Sequence, residues 1–360
     1  MISLYIHIPF CEHKCFYCSF VVSVGQEHRI DAYLDALGKE AQSYRGTKIG
    51  SIYLGGGTPS FLNTDQFKRL SDLVHHDFSF SGNIEWTLEA NPESVDENKA
   101  AIWKQRGVNR VSLGVQSLNN QFLRYLGRNH DRLGAGRAYH VLRDNGFDNI
   151  NMDLMYSFPQ QTKEALTQDV LDIAQFGSDH LSLYSLTIEE NSRFYTKKVQ
   201  LSDGDRQGED YALVMDLLND AGFRQYEVSN FAKPGRASIH NLNYWRGGDY
   251  IGLGVGAHSH LNGRRYWNVS KFSDYLSQTS QGQSPVEGEE FLDPQKRFME
   301  TLLFGLRTNE GVDVLNLEKR FHVRLNKERE IMLEEFIEHG LCERDTAHIR
   351  VTHKGRLILD

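Results

Sequence analysis

Six short runs of β-branched, aliphatic and aromatic residues recur between residues 3 and 186, each followed by a longer amphipathic stretch, and this alternation limits the fold more than any other feature. The runs fall at residues 4–8, 51–54, 85–89, 110–115, 151–155 and 180–186, and the helical patterns at 28–44, 65–74, 95–106, 131–145 and 163–176. Strands that alternate with helices of this length form βα units with right-handed crossovers and a parallel sheet. Six in succession curl into an incomplete (β/α)6 barrel, an α/β fold whose chemistry gathers at the C-terminal ends of the strands. A flat doubly wound sheet is the alternative. The barrel is favoured because Cys11, Gly55 to Gly57, Glu89, Gln116 and Asp153 all stand at or just past such an end and would share one mouth.

Beyond residue 187 the alternation stops. A helix near 205–220, a strand near 225–231 and a glycine-dense stretch at 247–263 read as an extension on the barrel's edge, which makes residues 1–275 one unit. Residues 276–290 are polar, with Gly, Ser and Pro, and read as a linker. Residues 291–360 then form a separate small unit, with helical patterns at 294–306, 314–321 and 327–340 and a hairpin through 341–343 and 349–352, which suggests a winged-helix-like domain. Winged helices often bind DNA, but this one carries 12 Lys and Arg against 13 Asp and Glu. The whole chain has a net charge of −8, so nucleic acid is not an expected partner. No apolar run is long enough for a membrane span, and the opening MISLYIHIPFCEHKC lacks the basic and apolar regions of a secretory signal. The expected location is the cytoplasm, and an integral membrane protein is not expected.

Three of the four cysteines, Cys11, Cys15 and Cys18, have the spacing C-x3-C-x2-C directly after the first strand. In a reducing compartment such a cluster reads as a metal site rather than a disulfide framework. Three thiolates suit either zinc, which takes four ligands in a structural site, or an iron–sulfur cluster with one iron left open. Zinc would have to recruit His7 or His13, because Cys342 lies in the C-terminal unit, and the cluster is the stronger reading.

The same motif resembles that of the radical S-adenosylmethionine (SAM) superfamily. IHIPFCEHKCFYC, YLGGGTPS, LEANPES, VSLGVQS, YLGRNH, NMDLMYSFP, YEVSNFA, HNLNYW and GLGVGAHS together resemble the oxygen-independent coproporphyrinogen oxidase group over roughly residues 3–270. Within that group the oxidases carry a further cysteine two positions after the third and an N-terminal extension. This sequence has Phe20 at that position and begins at the first strand. HNLNYW, residues 240–245, is similar to the HNxxYW motif of the haem-chaperone (HemW) branch. The resemblance implies a 4Fe–4S cluster on Cys11, Cys15 and Cys18, bound SAM, haem, an electron donor to the cluster and acceptor haemoproteins as partners. It leaves oxidation of coproporphyrinogen III as the alternative activity.

The resemblance also assigns residues. Gly56, Gly57 and Thr58 would lie against the methionine end of SAM, where glycines allow close backbone approach. Glu89, Gln116, Arg128 and Asp153 would supply polar contacts, with Arg128 suited to a carboxylate. Tyr5 would point its hydroxyl at the cluster-bound cofactor and Tyr17 would lie near the adenine, each with a core-aromatic role as the competing reading. His240 is a candidate haem ligand with Tyr244 and Trp245 beside the porphyrin, in competition with His258 and His260. Gly252, Gly254 and Gly256 do not have the spacing of a dinucleotide fingerprint and read as a tight turn.

Overall fold

A single twelve-stranded sheet organises residues 2–291 in the computed structural model, which describes residues 1–346 and 348–359. Strands Ile2–Ile8, Lys48–Gly56, Ser79–Ala90, Arg110–Gln116, Ile150–Tyr156 and His180–Ser185 lie side by side in chain order and pair in parallel. Helices Ile30–Ala41, Thr64–Asp77, Glu97–Gln105, Arg132–Asp144 and Lys163–Gln175 make the crossovers. Their starts are set locally. Asn63 and Gln66 form a capping box, and Asp131 and Thr162 accept from the backbone N–H of Gly134 and Ala165. The sheet does not close, since it ends at Val286–Phe291 on one side and Arg224–Gln225 on the other, so the incomplete barrel is the fold found.

Strand alternation sorts the residues by face. Val111, Leu113 and Val115 are buried in the main hydrophobic core, whereas Arg110, Ser112, Gly114 and Gln116 line the central cavity. Asn151 and Asp153 on the next strand, and Ser182 and Tyr184 on the one after, continue this polar inner face.

Three expectations are corrected. The glycine-dense stretch contains a seventh parallel strand, Asp249–Leu253, which pairs with Ile2–Ile8 and sets Gly252 opposite Tyr5. A Cβ at Gly252 would fall 2.1 Å from the His258 carbonyl oxygen, so a glycine is needed where the chain doubles back. The run at 225–231 is not one strand but a hairpin, Arg224–Gln225 against Asn230–Ala232, and the second arm adds antiparallel to His180–Ser185. Residues 276–290 are not a linker. They hold the end of helix Phe272–Ser280 and most of strand Val286–Phe291, which pairs with Arg264–Asn268; their side chains are polar because an edge strand faces water on both sides.

Helices Pro294–Leu306, Val314–Phe321 and Lys327–Glu338 pack beside a three-stranded sheet, Val312–Asp313, His348–Val351 and Cys342–Arg344. Phe298, Leu302, Leu317, Phe321 and Ile349 form a core of their own. Among the described residues no helix is long and apolar enough to cross a membrane.

Candidate functional site

The loop after the first strand brings Cys11, Cys15 and Cys18, all half-buried, to the rim of a cavity of 1240 Å³. Cys11 Sγ lies 3.3 Å from Thr58 Oγ1. Burial pushes the Cys11 thiol up to about 11 and raises that of Cys18. Cys15 differs. Burial acts on it in the same sense, but a hydrogen bond to His13 and the charge of Arg128 outweigh it and hold this thiol below its ordinary value. The two histidines that a zinc site would recruit are both engaged. His7 Nε2 donates to the Val21 carbonyl at 2.9 Å, which leaves Nδ1 to accept from the Tyr5 hydroxyl at 3.0 Å. His13 Nε2 donates to the Gly127 carbonyl at 2.8 Å and Nδ1 faces Asn129 Nδ2 at 2.9 Å. Three thiols with no free imidazole fit an iron–sulfur cluster with an open iron better than a four-ligand zinc ion.

The glycine turn after the second strand is pressed onto this loop. A Cβ at Gly57 would sit 2.8–2.9 Å from the Pro9 and Phe10 backbone, and Gly56 has φ +113. Gly57 and Thr58 donate their N–H groups to the Ile8 and Phe10 carbonyls at 2.9 Å, and Gly56 donates to Glu89 Oε2 at 3.1 Å. All three donors are used within the protein. What the turn can offer a ligand is therefore carbonyl oxygen, which suits an ammonium and not a carboxylate.

Glu89, Gln116 and Asp153 line the same cavity, as do Gly56, Gly57, Thr58, Tyr17 and Arg128. Glu89 also accepts from the Tyr53 hydroxyl at 2.8 Å, and burial pushes its carboxyl up to about 7. Asp153, likewise raised by burial, accepts from Asn151 Nδ2 at 2.6 Å. Gln116 adopts φ 67 at a β-bulge, which turns its side chain at the strand's end. Arg128 is less available than its sequence context implies, since its guanidinium contacts Cys15 Sγ at 3.4 Å, Asn91 Oδ1 at 2.8 Å and the Gly114 carbonyl at 2.7 Å. Tyr5 is not among the lining residues, because its hydroxyl is turned to His7.

HNLNYW forms helix Ile239–Trp245, which closes the opposite end of the barrel. Glu85, on the inner face of the third strand, accepts from the Ser238 hydroxyl and from the Ile239 and His240 N–H groups at 2.9–3.0 Å, and so pins the helix start. Asn241 reaches the cavity floor. His240 itself is 1% exposed, with Nδ1 3.0 Å from Ser51 Oγ and Nε2 2.9 Å from the Tyr244 hydroxyl, and burial pushes its imidazole down to about 3. His240 and Tyr244 thus lie beneath the cavity rather than in its lining, and both ring nitrogens are occupied. Trp245 stands edge-on to Phe304. His258 and His260 lie on the antiparallel extension, the first stacked on Trp267 and the second 3.6 Å from Asp249.

The inner face also carries residues that motif reading does not single out. His180 Nδ1 lies 2.6 Å from Asn151 Oδ1 and Nε2 lies 2.8 Å from the Tyr226 hydroxyl, in a chain that continues from Asn151 to Asp153. Arg110 stands beside them. The signal was available as the period-2 polar pattern of R-V-S-L-G-V-Q.

Comparison with known proteins agrees with this architecture. The Radical SAM superfamily matches residues 5–173 and the HemN C-terminal domain matches residues 292–358. The solved structure of coproporphyrinogen III oxidase (HemN) from Escherichia coli, described as a radical SAM enzyme, superimposes with a TM-score of 0.87 at 25% identity, covering 99% of this chain and 88% of the other. The heme chaperone HemW of Lactococcus lactis is 36% identical, covering 98% of this chain and 94% of the relative. That of Bacillus subtilis is 34% identical, covering 99% and 97%. With near-complete coverage at this identity, and the thiol loop and HNLNYW helix at opposite ends of one barrel, the chain belongs to the heme chaperone HemW family of radical SAM proteins.

Proposed function

We propose that this chain binds a 4Fe–4S cluster, SAM and haem, and passes haem to acceptor haemoproteins in the cytoplasm. The observation that supports this reading most is the cavity itself, which runs from the thiol loop to the helix formed by HNLNYW. Its 1240 Å³ exceeds the roughly 300–1,000 Å³ of a cleft for one drug-sized ligand. Cys11, Cys15 and Cys18 would hold the cluster, and the carbonyls of the 56–58 turn with Glu89, Gln116 and Asp153 would hold SAM. In this superfamily the reduced cluster supplies an electron to the SAM sulfonium. The chain's own part is to screen that end from water with Tyr17, which lines the cavity beside the thiols, and to fix Cys15 through Arg128. His240 and Tyr244 would enter a haem site together, since Nε2 is freed for iron only when their shared hydrogen bond opens.

The backbone likeness to HemN favours a second reading, oxidation of coproporphyrinogen III. Phe20 speaks against it, because it stands 65% exposed at the position where the oxidases are expected to carry a further cysteine. Anaerobic assay with coproporphyrinogen III and SAM, beside titration with haem, separates the two. Haem binding without conversion of the porphyrinogen supports the chaperone, and conversion without haem binding refutes it.

A further inference from the structure

Arg110 opens the fourth barrel strand and lies on the cavity floor at 2% exposure. Its Nε is buried without a hydrogen-bond partner, and Nη1 reaches only Thr87 Oγ1, at 3.4 Å. Among the described residues no carboxylate stands within ion-pair distance of it. Its neighbours on the floor, Ser112, Asn151, Ser182 and Asn241, are neutral. The acids of this inner face take their hydrogen bonds elsewhere, Glu85 from Ser238, Ile239 and His240, Glu89 from Tyr53 and Gly56, and Asp153 from Asn151, so the charge of Arg110 reaches Glu89 and Asp153 only through space. A guanidinium cannot shed its proton to escape burial, so a desolvated and unpaired one is costly until an anion meets it.

The walls above it are apolar and aromatic, with Tyr53, Met155, Tyr156, Tyr184, Val228 and Ile358. A buried guanidinium on the floor, with the cavity's other buried one, Arg128, taken up by Cys15, Asn91 and Gly114, fits an amphiphilic ligand, flat and apolar in its body with a carboxylate arm. We propose that Arg110 is the anion-binding residue of the cavity floor and pairs with a carboxylate arm of the tetrapyrrole; this rests on the haem reading above. The fork of Nε and Nη atoms suits two parallel bonds to one carboxylate.

The test is titration of the full chain, wild type and the variants Arg110→Lys and Arg110→Gln, with haem, with haem dimethyl ester and with SAM. Wild type should bind haem about 10- to 100-fold more tightly than the diester, the ratio expected for a charge-assisted pair. Arg110→Gln should lose that preference, Arg110→Lys should keep part of it, and SAM affinity should stay unchanged in both. The ligand-free Arg110→Gln protein should melt no lower than wild type, because an unpaired buried charge has been removed, whereas a purely structural arginine would cost stability. Equal wild-type affinity for haem and its diester would overturn the proposal without touching the haem reading, and needs no variant. So would loss of SAM binding in Arg110→Gln with haem binding intact. Failure of wild type to bind either haem form would remove the haem reading and this proposal with it.

Discussion

Arg128 holds Cys15: its Nη1 lies 3.4 Å from the sulfur while Nη2 is anchored on Asn91 and on the Gly114 carbonyl. The cation is fixed from a neighbouring strand rather than from the thiol loop, so of the three thiols Cys15 alone is held below its ordinary value, against the burial that raises the other two. Under anaerobic conditions at neutral pH, iodoacetamide should label Cys15 ahead of Cys11 and Cys18. Arg128→Gln should shrink that difference. Peptide mass mapping at short times reads the order, and labelling of Cys11 first in wild type would contradict it.

Iron content follows from the same loop. Anaerobically reconstituted protein should hold about four irons with broad absorption near 400 nm, as expected for a cubane on cysteine ligands. Replacing Cys11, Cys15 or Cys18 by Ala should abolish this, and Cys342→Ala, which alters a residue of the C-terminal sheet, should not. Full iron retention in Cys15→Ala would dismiss the cluster.

Glu89 and Asp153 carry the proposed SAM contacts. Glu89→Ala and Asp153→Ala should each weaken SAM binding by about 10- to 100-fold, which is what loss of a charge-assisted hydrogen bond gives, with iron content unchanged. Calorimetric titration on reconstituted protein measures it. Wild-type affinity in both variants would take them out of the site.

Glu40 gives a pH dependence far from the cavity. It is buried beneath the Tyr275 hydroxyl and Asn268 Nδ2, each at 2.6 Å, and the Gly254 N–H at 2.9 Å, and burial pushes its carboxyl up to about 7. Between pH 4.5, its ordinary value, and pH 7 the native chain keeps a proton that the unfolded chain has released. Stability therefore falls as pH rises through that window and levels above it, by on the order of 3 kcal/mol for a fully buried group. Urea unfolding at stepped pH should show the fall in wild type and a flatter curve in Glu40→Gln; parallel curves would refute it.

The barrel was legible because its strands and helices have different periods, and the thiol loop because its spacing is local. What escaped depends on partners far away in the chain. Asp249–Leu253 follows only the seven-residue helix Ile239–Trp245 and is a barrel strand because Ile2–Ile8 receives it. Tyr5, Arg128 and His240 are residue types that fit ligand chemistry, but the sequence does not show which partners each takes inside the fold. Their side chains are claimed by His7, Gly114 and Ser51, and the last of these pairings spans 189 positions. Arg110 shows in the sequence only as the first polar position of the period-2 pattern R-V-S-L-G-V-Q, which carries no sign that its Nε is buried without a hydrogen-bond partner.

The open sheet leaves two edges, and each is guarded against stray strands. Arg224–Gln225 is only two residues long, too short to template an added chain. Val286–Phe291 is longer, but it carries Glu287, Glu289 and Glu290, with Glu289 and Glu290 tethered to Arg264 and Arg265 on the neighbouring strand. A second copy approaching this edge would set one row of glutamates against another. The same sheet that leaves its barrel incomplete is thereby kept from growing into fibrils, and neutral β-branched residues at 289 and 290 would remove that protection.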